Sequence, residues 1–290
     1  MIGESPERTA FSRLGPIGAP TPLVIAVPHA GRYYPEALLA ASRLPRAALE
    51  TIEDRHADLL VADAVANGAV AIVARMARAY VDLNRDEREI DPAILATPPG
   101  PGRLIASPKM TGGLGVVPSR IAAGGAIWRQ PLSTEEYEAR LATAHRPYHA
   151  AIAAALADAH TRHGIAILLD CHSMPALWRV PGQPPAARIV IGDRHGKSAA
   201  QRFVVVAAAA IVASGLPVAR NRPYAGGHTL DRHGAPRHGY HALQIEIDRT
   251  LYLDETQNAP GLGVDRIRGV VAAVAAALGI EAQGLMLAAE

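Results

Sequence analysis

The sequence has 290 residues, and its 29 lysine and arginine side chains nearly balance 27 aspartate and glutamate side chains. The net charge of +2 is too small for a protein whose main partner is nucleic acid or an anionic membrane, so it favours a small-molecule partner. The length suits one α/β domain, and we expect a single domain over residues 1–290.

The cysteine content and the N-terminal composition predict a cytoplasmic protein. A single cysteine excludes an intramolecular disulfide and suits a reducing compartment. The first twenty residues contain acids and prolines where a signal peptide needs a continuous apolar stretch. The alanine-rich runs AAIAAALADAH and VVAAVAAALGI are shorter than the ~20 residues of a membrane span, so we expect packed helices there.

Apolar runs of strand length alternate along the chain with longer helical patterns. The predicted strands cover residues 22–27, 69–74, 79–83, 165–170, 187–192 and 242–247. The predicted helices cover about 48–66, 134–162, 196–214 and 262–278. This alternation predicts an α/β fold in three α/β/α layers, with a mostly parallel, mixed sheet between helices. The Pro/Gly-rich residues 86–131 form a long excursion, which is typical of a functional segment.

Polar side chains follow several of these predicted strands. His29 follows the first strand, Asn84 and Arg85 follow the third, and His172 follows the fourth. Glu246 lies near the end of the last predicted strand. Ligands of open parallel sheets bind beyond the carboxyl ends of the strands, so these residues predict one common site.

The two strand-end histidines indicate a metal site. Neutral imidazole is a common zinc ligand, and catalytic zinc usually has three protein ligands and one open position. A third ligand for His29 and His172 is available in IEDRHADLL, which offers Glu53, Asp54 and His56. Acids near a helix start also serve as simple caps, so this segment is notable only beside the paired histidines.

Cys171 lies between Asp170 and His172, which raises the alternative of a thiol nucleophile. Successive side chains of a strand point to opposite faces. If Asp170 and His172 face the site, Cys171 faces away from it. A buried, unreactive thiol is therefore the favoured interpretation.

Arg85 is a candidate for binding a substrate carboxylate, because its planar guanidinium matches a carboxylate bidentately. The alternative is a surface ion pair with Asp86 or Glu87. In the segment RPYAGGHTLDRHG, Gly227 and His228 precede Arg232, a pattern of sharp backbone bends and cationic groups.

Glu246 alternates with the apolar residues of its predicted strand, so it shares the opposite face with Gln244. That face either meets solvent or places a carboxylate in apolar surroundings near the site. Enzymes place general bases in the second kind of setting.

Six blocks of the sequence, taken together and in order, resemble the N-formylglutamate amidohydrolase family. They are VPHAG, EDRH, YVDLNR, DCHS, AGGHTLDRHG and LQIEIDRTLY, and they span about residues 22–253. The resemblance implies a fold shared with zinc carboxypeptidases and aspartoacylase-like enzymes. It also implies metal-dependent hydrolysis of N-formyl-L-glutamate to formate and L-glutamate, a reaction of histidine degradation.

The resemblance also implies the metal ligands and the general base. His29, Asp54 and His172 would hold Zn²⁺ or another divalent ion, with His56 beside this set and Glu246 as the base that takes a proton from water. The aspartoacylase-like relatives use a His-x-x-Glu pair for two ligands. Here Arg32 stands three residues after His29, so that pattern is absent.

Further roles follow from the resemblance and from the charge of the substrate. Arg85, with Asn84 beside it, would bind one carboxylate, and Arg222 or Arg232 would bind the second. His228 would stabilise the oxyanion, Asp170 would orient His172, and Gly227 and Ser173 would line the substrate site.

Two other functions remain open at this point. A different N-acyl amino acid amidohydrolase or a carboxypeptidase-like hydrolase could use the same metal ligands. A non-catalytic metal-dependent binding protein would need the histidines but not Glu246, so the glutamate favours an enzyme.

Overall fold

The computed structural model describes residues 9–100, 102–122, 124–178, 182 and 185–287. Two compact units are present, each assembled from three separate chain segments. Unit 1 contains the described residues up to Ser12, Pro28–Glu53 and Ala74–Ala150. Unit 2 contains Arg13–Val27, Asp54–Val73 and the chain from Ala151 onward. The expectation of one domain over the whole chain stays a prediction.

The strands, in chain order, are β1 Phe11–Leu14, β2 Leu23–Val27, β3 Val70–Ala74, β4 Arg120–Ile121, β5 Gly125–Ala126, β6 Ala166–Met174, β7 Ile189–Gly192, β8 Val218–Arg220 and β9 Tyr240–Asp248. The α-helices are α1 Glu36–Ala41, α2 Arg46–Leu49, α3 Ala62–Ala66, α4 Pro108–Thr111, α5 Thr134–Arg140, α6 Arg146–His163, α7 Gln201–Ala213, α8 His228–His233 and α9 Val264–Leu287. One π-helical turn, Leu141–His145, lies between α5 and α6.

Seven strands form one sheet in the order β1-β3-β2-β6-β9-β7-β8. Strand β2 pairs in parallel with β3 and with β6, and β6 pairs in parallel with β9, whereas β7 pairs antiparallel with β9 and parallel with β8. The sheet is therefore mixed and mostly parallel, with helices on both sides, which confirms the predicted fold class. Strands β2, β3 and β6 are buried along their whole length, as expected for strands covered on both faces.

Helices α7 and α9 of unit 2 cover part of this sheet. Helix α9 packs against α7 and α3, and its buried face includes Ile267, Val271, Val274 and Leu278. The segment Val264–Gly284 is also long and apolar enough, by length and composition alone, to cross a membrane. Packing of its buried face agrees with the predicted packed helix, which ends well beyond the expected residue 278.

Five of the six predicted strands are confirmed, and one is wrong. Residues 79–83 form no strand, because Val81 and Leu83 are buried in an irregular segment of unit 1 rather than in the sheet. The apolar pattern of that segment reflects burial without strand pairing. The edge strands β1 and β8 escaped prediction because they are short and partly exposed.

The predicted helix over 48–66 is also wrong as a continuous element. It consists of α2, two 3₁₀ turns at Glu50–Ile52 and Ala57–Val61, and α3. The break falls at Glu53, whose backbone is extended, and at His56, whose φ of 58° is left-handed. This break turns the side chains of Glu53 and Asp54 away from a regular helical surface.

Candidate active site

A buried network of carboxylates and one imidazole lies at the carboxyl end of β6 in unit 2. His172 Nε2 lies 2.9 Å from Asp170 Oδ2, and His172 Nδ1 lies 3.1 Å from Asp54 Oδ2. The Ser173 hydroxyl donates to Asp54 Oδ1 over 3.1 Å. We call Asp54, Asp170, His172, Ser173 and Glu246 the His172 cluster.

The charges of the His172 cluster determine the protonation of its histidine. Burial by itself would lower the pKa of His172, but the nearby carboxylates of Asp170, Asp54 and Glu246 outweigh burial and hold that pKa well above its usual value. An imidazole between two carboxylates is stable as an imidazolium. The same position suits a neutral imidazole with a bound cation, because a cation also balances the carboxylates.

Glu246 lies beside His172 because β6 and β9 are parallel neighbours that pair residue 172 with residue 246. The Gln244 amide donates to Glu246 Oε1 over 2.8 Å. Both side chains are buried, so the alternative in which this face of β9 meets solvent is wrong. The result is a buried carboxylate that accepts from the Gln244 amide and lies beside His172.

A second polar network occupies unit 1, and we call His29, Arg78, Asp82 and Arg85 the Asp82 cluster. His29 Nε2 lies 2.8 Å from Asp82 Oδ1, and the Arg78 guanidinium donates to Asp82 Oδ2 over 2.9 Å. Burial opposes ionisation of Asp82, but Arg78, His29 and Arg85 outweigh burial and hold its pKa well below the usual value. Asp82 is thus a buried carboxylate that fixes one nitrogen of the His29 ring.

Arg85 is buried rather than exposed. Its Nε donates to the Leu114 carbonyl over 2.9 Å, its Nη1 donates to the Asn84 carbonyl, and its Nε lies 4.0 Å from Asp82. The alternative of a surface ion pair is therefore wrong for Arg85. Leu114 belongs to the Pro/Gly-rich excursion, so this segment contributes a hydrogen bond that orients the guanidinium.

The acidic residues that follow Asp82 in the sequence have arginine partners of their own. Asp86 pairs with Arg88, and Glu87 pairs with Arg146. The backbone N–H of Asn84 donates to Asp82 Oδ1 over 2.9 Å. Asp82 therefore fixes the backbone at Asn84 as well as the side chains of His29 and Arg78, although the sequence patterns did not single it out.

The three candidate ligands of the segment 53–56 have different partners. Asp54 contacts His172 and Ser173, as described above. Glu53, in unit 1, accepts a short hydrogen bond from the Tyr34 hydroxyl. His56 Nε2 lies 3.1 Å from the Asn258 carbonyl oxygen. Among these three, the contacts in unit 2 bring Asp54 to the strand-end histidine.

The loop before α8 bends sharply, as its glycines predicted. Gly226 has a φ of 108°, and a Cβ atom there would come within 2.4 Å of Leu230. Gly227 precedes α8, and His228 is its first residue. Arg222 and Arg232 are exposed. The loop thus presents His228 at a helix start, whereas the two arginines lie toward solvent.

Cys171 is buried and forms no disulfide. Burial, together with Asp54, Asp170 and Glu246, raises the pKa of its thiol far above the usual value. A neutral thiol is a poor nucleophile, since the thiolate is the reactive form.

Comparison with known proteins agrees with these motifs. Residues 21–253 match the family model described as N-formylglutamate amidohydrolase. The chain belongs to the N-formylglutamate amidohydrolase family. A curated N-formylglutamate deformylase of Pseudomonas aeruginosa is 31% identical over 244 residues, which are 81% of this chain and 83% of that protein. The N-formylglutamate deformylase of Pseudomonas putida is 28% identical over 252 residues, with the same coverage of 81% and 83%.

Solved structures extend the comparison to the fold. The crystal structure of N-formylglutamate amidohydrolase from Ralstonia eutropha JMP134 superposes with a TM-score of 0.87 at 30% identity, covering 95% of this chain and 99% of that one. A protein of Agrobacterium tumefaciens shares the fold with a TM-score of 0.61 at 19% identity, over 97% of each chain.

Two residues of this N-formylglutamate amidohydrolase family member went unnoticed in the sequence. Asp82 stands inside the YVDLNR block, in which the sequence patterns predicted roles for Asn84 and Arg85. Arg249 stands three residues after Glu246, and its Nη2 lies 3.8 Å from Asp54 Oδ1. The signal for both was available, because each is a charged residue next to a motif at a strand end or a sharp turn.

Proposed function

We propose that this chain hydrolyses the formyl amide of N-formyl-L-glutamate, giving formate and L-glutamate, with the help of a divalent metal ion. The observation that supports this most directly is the His172 cluster: a buried imidazole between two carboxylates, beside the strand-borne Glu246. Family membership and the names of the deformylase relatives favour the same reaction.

The donor atoms of the His172 cluster fit a zinc-type ion. Asp54 Oδ2 and His172 Nδ1, an oxygen and a nitrogen of the types that zinc binds, face each other at 3.1 Å. When Nε2–H donates to Asp170, the lone pair of Nδ1 points toward Asp54. Histidine ligands usually have such a carboxylate on their second nitrogen. We assign Asp54 and His172 as ligands and Asp170 as the residue that orients His172.

His29 stays the predicted third ligand. It follows β2 by two residues, and β2 pairs in parallel with β6, with Ala26 opposite Asp170. The contact between Asp82 and one ring nitrogen of His29 parallels the contact between Asp170 and His172. Both histidines therefore have the carboxylate partner that metal-bound histidines commonly have.

A zinc ion held by these residues would supply a Lewis acid that polarises a carbonyl group and favours ionisation of water near neutral pH. Glu246 is assigned as the general base that accepts the proton of the attacking water and passes it to the departing amine. Gln244 fixes one oxygen of the Glu246 carboxylate and thereby its orientation. His228 stays the predicted donor to the developing oxyanion, with Gly227 providing the bend before it.

The substrate carries two carboxylates, and Arg85 is the proposed partner of one of them. Its Nε and Nη1 are bound to backbone carbonyls, so the guanidinium is held in a fixed direction before any ligand arrives. Asn84 stays a predicted neighbour of that carboxylate. Ser173 is better suited to fixing Asp54, to which its hydroxyl donates.

The experiment that tests this function measures formate release by the purified protein. We expect N-formyl-L-glutamate to be hydrolysed at least about 10-fold faster than N-acetyl-L-glutamate or N-formyl-L-leucine, since acyl size and side-chain charge both distinguish these substrates. Activity should fall after treatment with a chelator and return on addition of Zn²⁺ or another divalent ion.

Each half of the proposal can fail separately. Faster hydrolysis of an N-acetyl or N-succinyl amino acid would make the chain a different amidohydrolase. Full activity with far less than one metal ion per chain would remove the metal from the mechanism. A chain that binds metal but hydrolyses none of these amides would be a binding protein.

A further inference from the structure

We infer that Arg249 binds the α-carboxylate of the substrate and so contributes to specificity for N-formyl amino acids with a free α-carboxylate. This inference rests on the proposed function, because it names a contact within the same reaction. Arg249 begins the 3₁₀ turn Arg249–Leu251 directly after β9, which carries Glu246.

The surroundings of Arg249 are those of a cation prepared for an anionic ligand. Its side chain is 18% exposed, and its nearest carboxylate oxygen, Asp54 Oδ1, is 3.8 Å away. Its Nε is buried and has no hydrogen-bond partner among the described residues. Burying a guanidinium with so few hydrogen bonds is costly, and a carboxylate that accepts from it would offset that cost.

Three other arginines of unit 2 differ from Arg249 in the distance to their nearest carboxylate. Arg188, Arg194 and Arg220 each lie within 2.8 Å of a carboxylate oxygen of Asp248, Asp231 and Asp193, respectively. A guanidinium already in a close ion pair gains less from a second carboxylate. Among the described residues, the carboxylate contact of Arg249 is the longer one with Asp54, so its remaining donors suit a ligand.

The neighbours of Arg249 place it near the reacting groups. Asp54 is a proposed metal ligand. Tyr224 lies near both Glu246 and Arg249: burial and the Glu246 carboxylate raise the pKa of its phenol, and the Arg249 guanidinium lowers it. The α-carboxylate of an N-formyl amino acid is attached to the carbon that bears the amide nitrogen, whereas the γ-carboxylate of glutamate is farther away. A cation next to a metal ligand therefore matches the α-carboxylate better.

This assignment replaces the earlier expectation for Arg222 or Arg232. Both of those side chains are exposed, which lowers the value of a charge–charge contact because solvent screens it. Arg85 would then bind the side-chain carboxylate of glutamate.

The test compares three substrates with the parental enzyme and with Arg249→Gln. They are N-formyl-L-glutamate, N-formyl-L-glutamine, which keeps the α-carboxylate, and the α-amide of N-formyl-L-glutamate, which lacks it. We expect Arg249→Gln to lower kcat/KM about 10- to 100-fold for the first two and to leave the α-amide nearly unchanged, as loss of a charged hydrogen bond implies. Arg249→Lys should show a smaller loss, again confined to the two substrates that carry an α-carboxylate.

Arg162→Gln is the matched control, because Arg162 is an exposed arginine of α6 that pairs with Asp158. It should leave all three rates unchanged. An equal loss of activity on all three substrates would mean that Arg249 only supports Asp54, and would overturn the inference. A loss confined to substrates with the γ-carboxylate would overturn it too, by assigning Arg249 to the side chain.

Two further outcomes separate the inference from the proposed function. If Arg249→Gln does not fold, Arg249→Lys decides: unchanged selectivity between the acid and the α-amide would overturn the inference. If the parental enzyme does not hydrolyse N-formyl-L-glutamate at all, the proposed function fails first and the inference fails with it. If the parental enzyme is active and both Arg249 variants keep its selectivity, the proposed function holds and only the assignment of Arg249 is overturned.

Discussion

His172 and His241 lie on neighbouring parallel strands of one sheet, and both are buried, yet their surroundings drive their pKa values in opposite directions. His172 is at the carboxyl end of β6, among Asp54, Asp170 and Glu246, which hold its pKa well above the usual value. His241 is near the start of β9, where burial and the charge of Arg202 lower its pKa to about 4.

The contacts of His241 are those of a packed core side chain. Its ring centroid is 4.6 Å from that of Phe203, and its Nδ1 accepts a hydrogen bond from the Ala200 backbone N–H over 3.3 Å. Burial therefore does not by itself determine the role of a histidine. The two ends of the sheet differ in chemistry: acids gather at the carboxyl ends of β6 and β9, and apolar contacts surround the opposite end.

The largest expected effect comes from removing the proposed general base at the carboxyl end of the sheet. Glu246→Gln keeps the size of the side chain but removes the proton acceptor, so kcat for N-formyl-L-glutamate should fall about 10²- to 10⁴-fold while metal binding persists. Formate release and metal content per chain measure the two quantities. Glu255→Gln, a change at an exposed glutamate, is the control. Near-parental turnover of Glu246→Gln would assign the proton transfer to another carboxylate.

The second largest effect is expected from removing one of the carboxylates that distinguish His172 from His241. Asp170→Asn takes away the carboxylate on His172 Nε2, so the affinity for Zn²⁺ should weaken about 10- to 100-fold, as for other carboxylate partners of histidine ligands. Competition with a chromophoric chelator measures this affinity. Asp158→Asn, on the exposed face of α6, should leave it unchanged. Unaltered affinity in folded Asp170→Asn would mean that His172 is not a ligand.

A smaller effect is expected at the other histidine, and its sign follows from the direction of the pKa shift. Because the pKa of His241 is about 4 in the folded chain and about 6.5 when unfolded, the unfolded chain binds the proton first as pH falls. Above pH 6.5 the protonation of His241 therefore has no effect on stability. Between about pH 6.5 and 4 it increasingly favours the unfolded chain and so destabilises the folded state.

The variant that tests this is His241→Gln, which has no proton to gain in that range. Its free energy of unfolding should fall less than that of the parental chain between pH 7 and pH 4, by about 1 to 3 kcal/mol. Urea unfolding at several pH values measures the difference. His238→Gln, at an exposed position, should follow the parental curve. Identical acid sensitivity of His241→Gln and the parental chain would contradict the depressed pKa.

The comparison also explains how much the sequence could predict. The apolar cores of β2, β6 and β9 were recognisable because they are continuous and buried. The prediction of a strand at 79–83 was wrong, because a buried irregular segment has the same apolar pattern as a strand. Whether His172 is surrounded by acids depends on β6–β9 register and on the turn at residues 53–57, and a linear pattern specifies neither.

Asp82 and Arg249 were not predicted from the sequence for a common physical reason. Asp82 contacts His29, and Arg249 contacts Asp54, and each partner is distant in the chain. Local spacing identifies a charged residue but not its partner. The strand-end histidines were recognised because position at a strand end is itself a local property.

The smallest expected effect concerns Cys171, which lies between Asp170 and His172 in sequence but differs from both in chemistry. Its thiol is buried, and burial raises its pKa, so it stays neutral and unreactive. Cys171→Ala should keep kcat/KM within about twofold of the parental value and lower the stability by about 1 kcal/mol, the usual cost of a small core truncation. Treatment of the parental protein with iodoacetamide under native conditions should also leave activity intact. Complete loss of activity in a folded Cys171→Ala variant would instead identify a thiol nucleophile, and the Asp170–His172 contact would then serve that thiol rather than a metal ion.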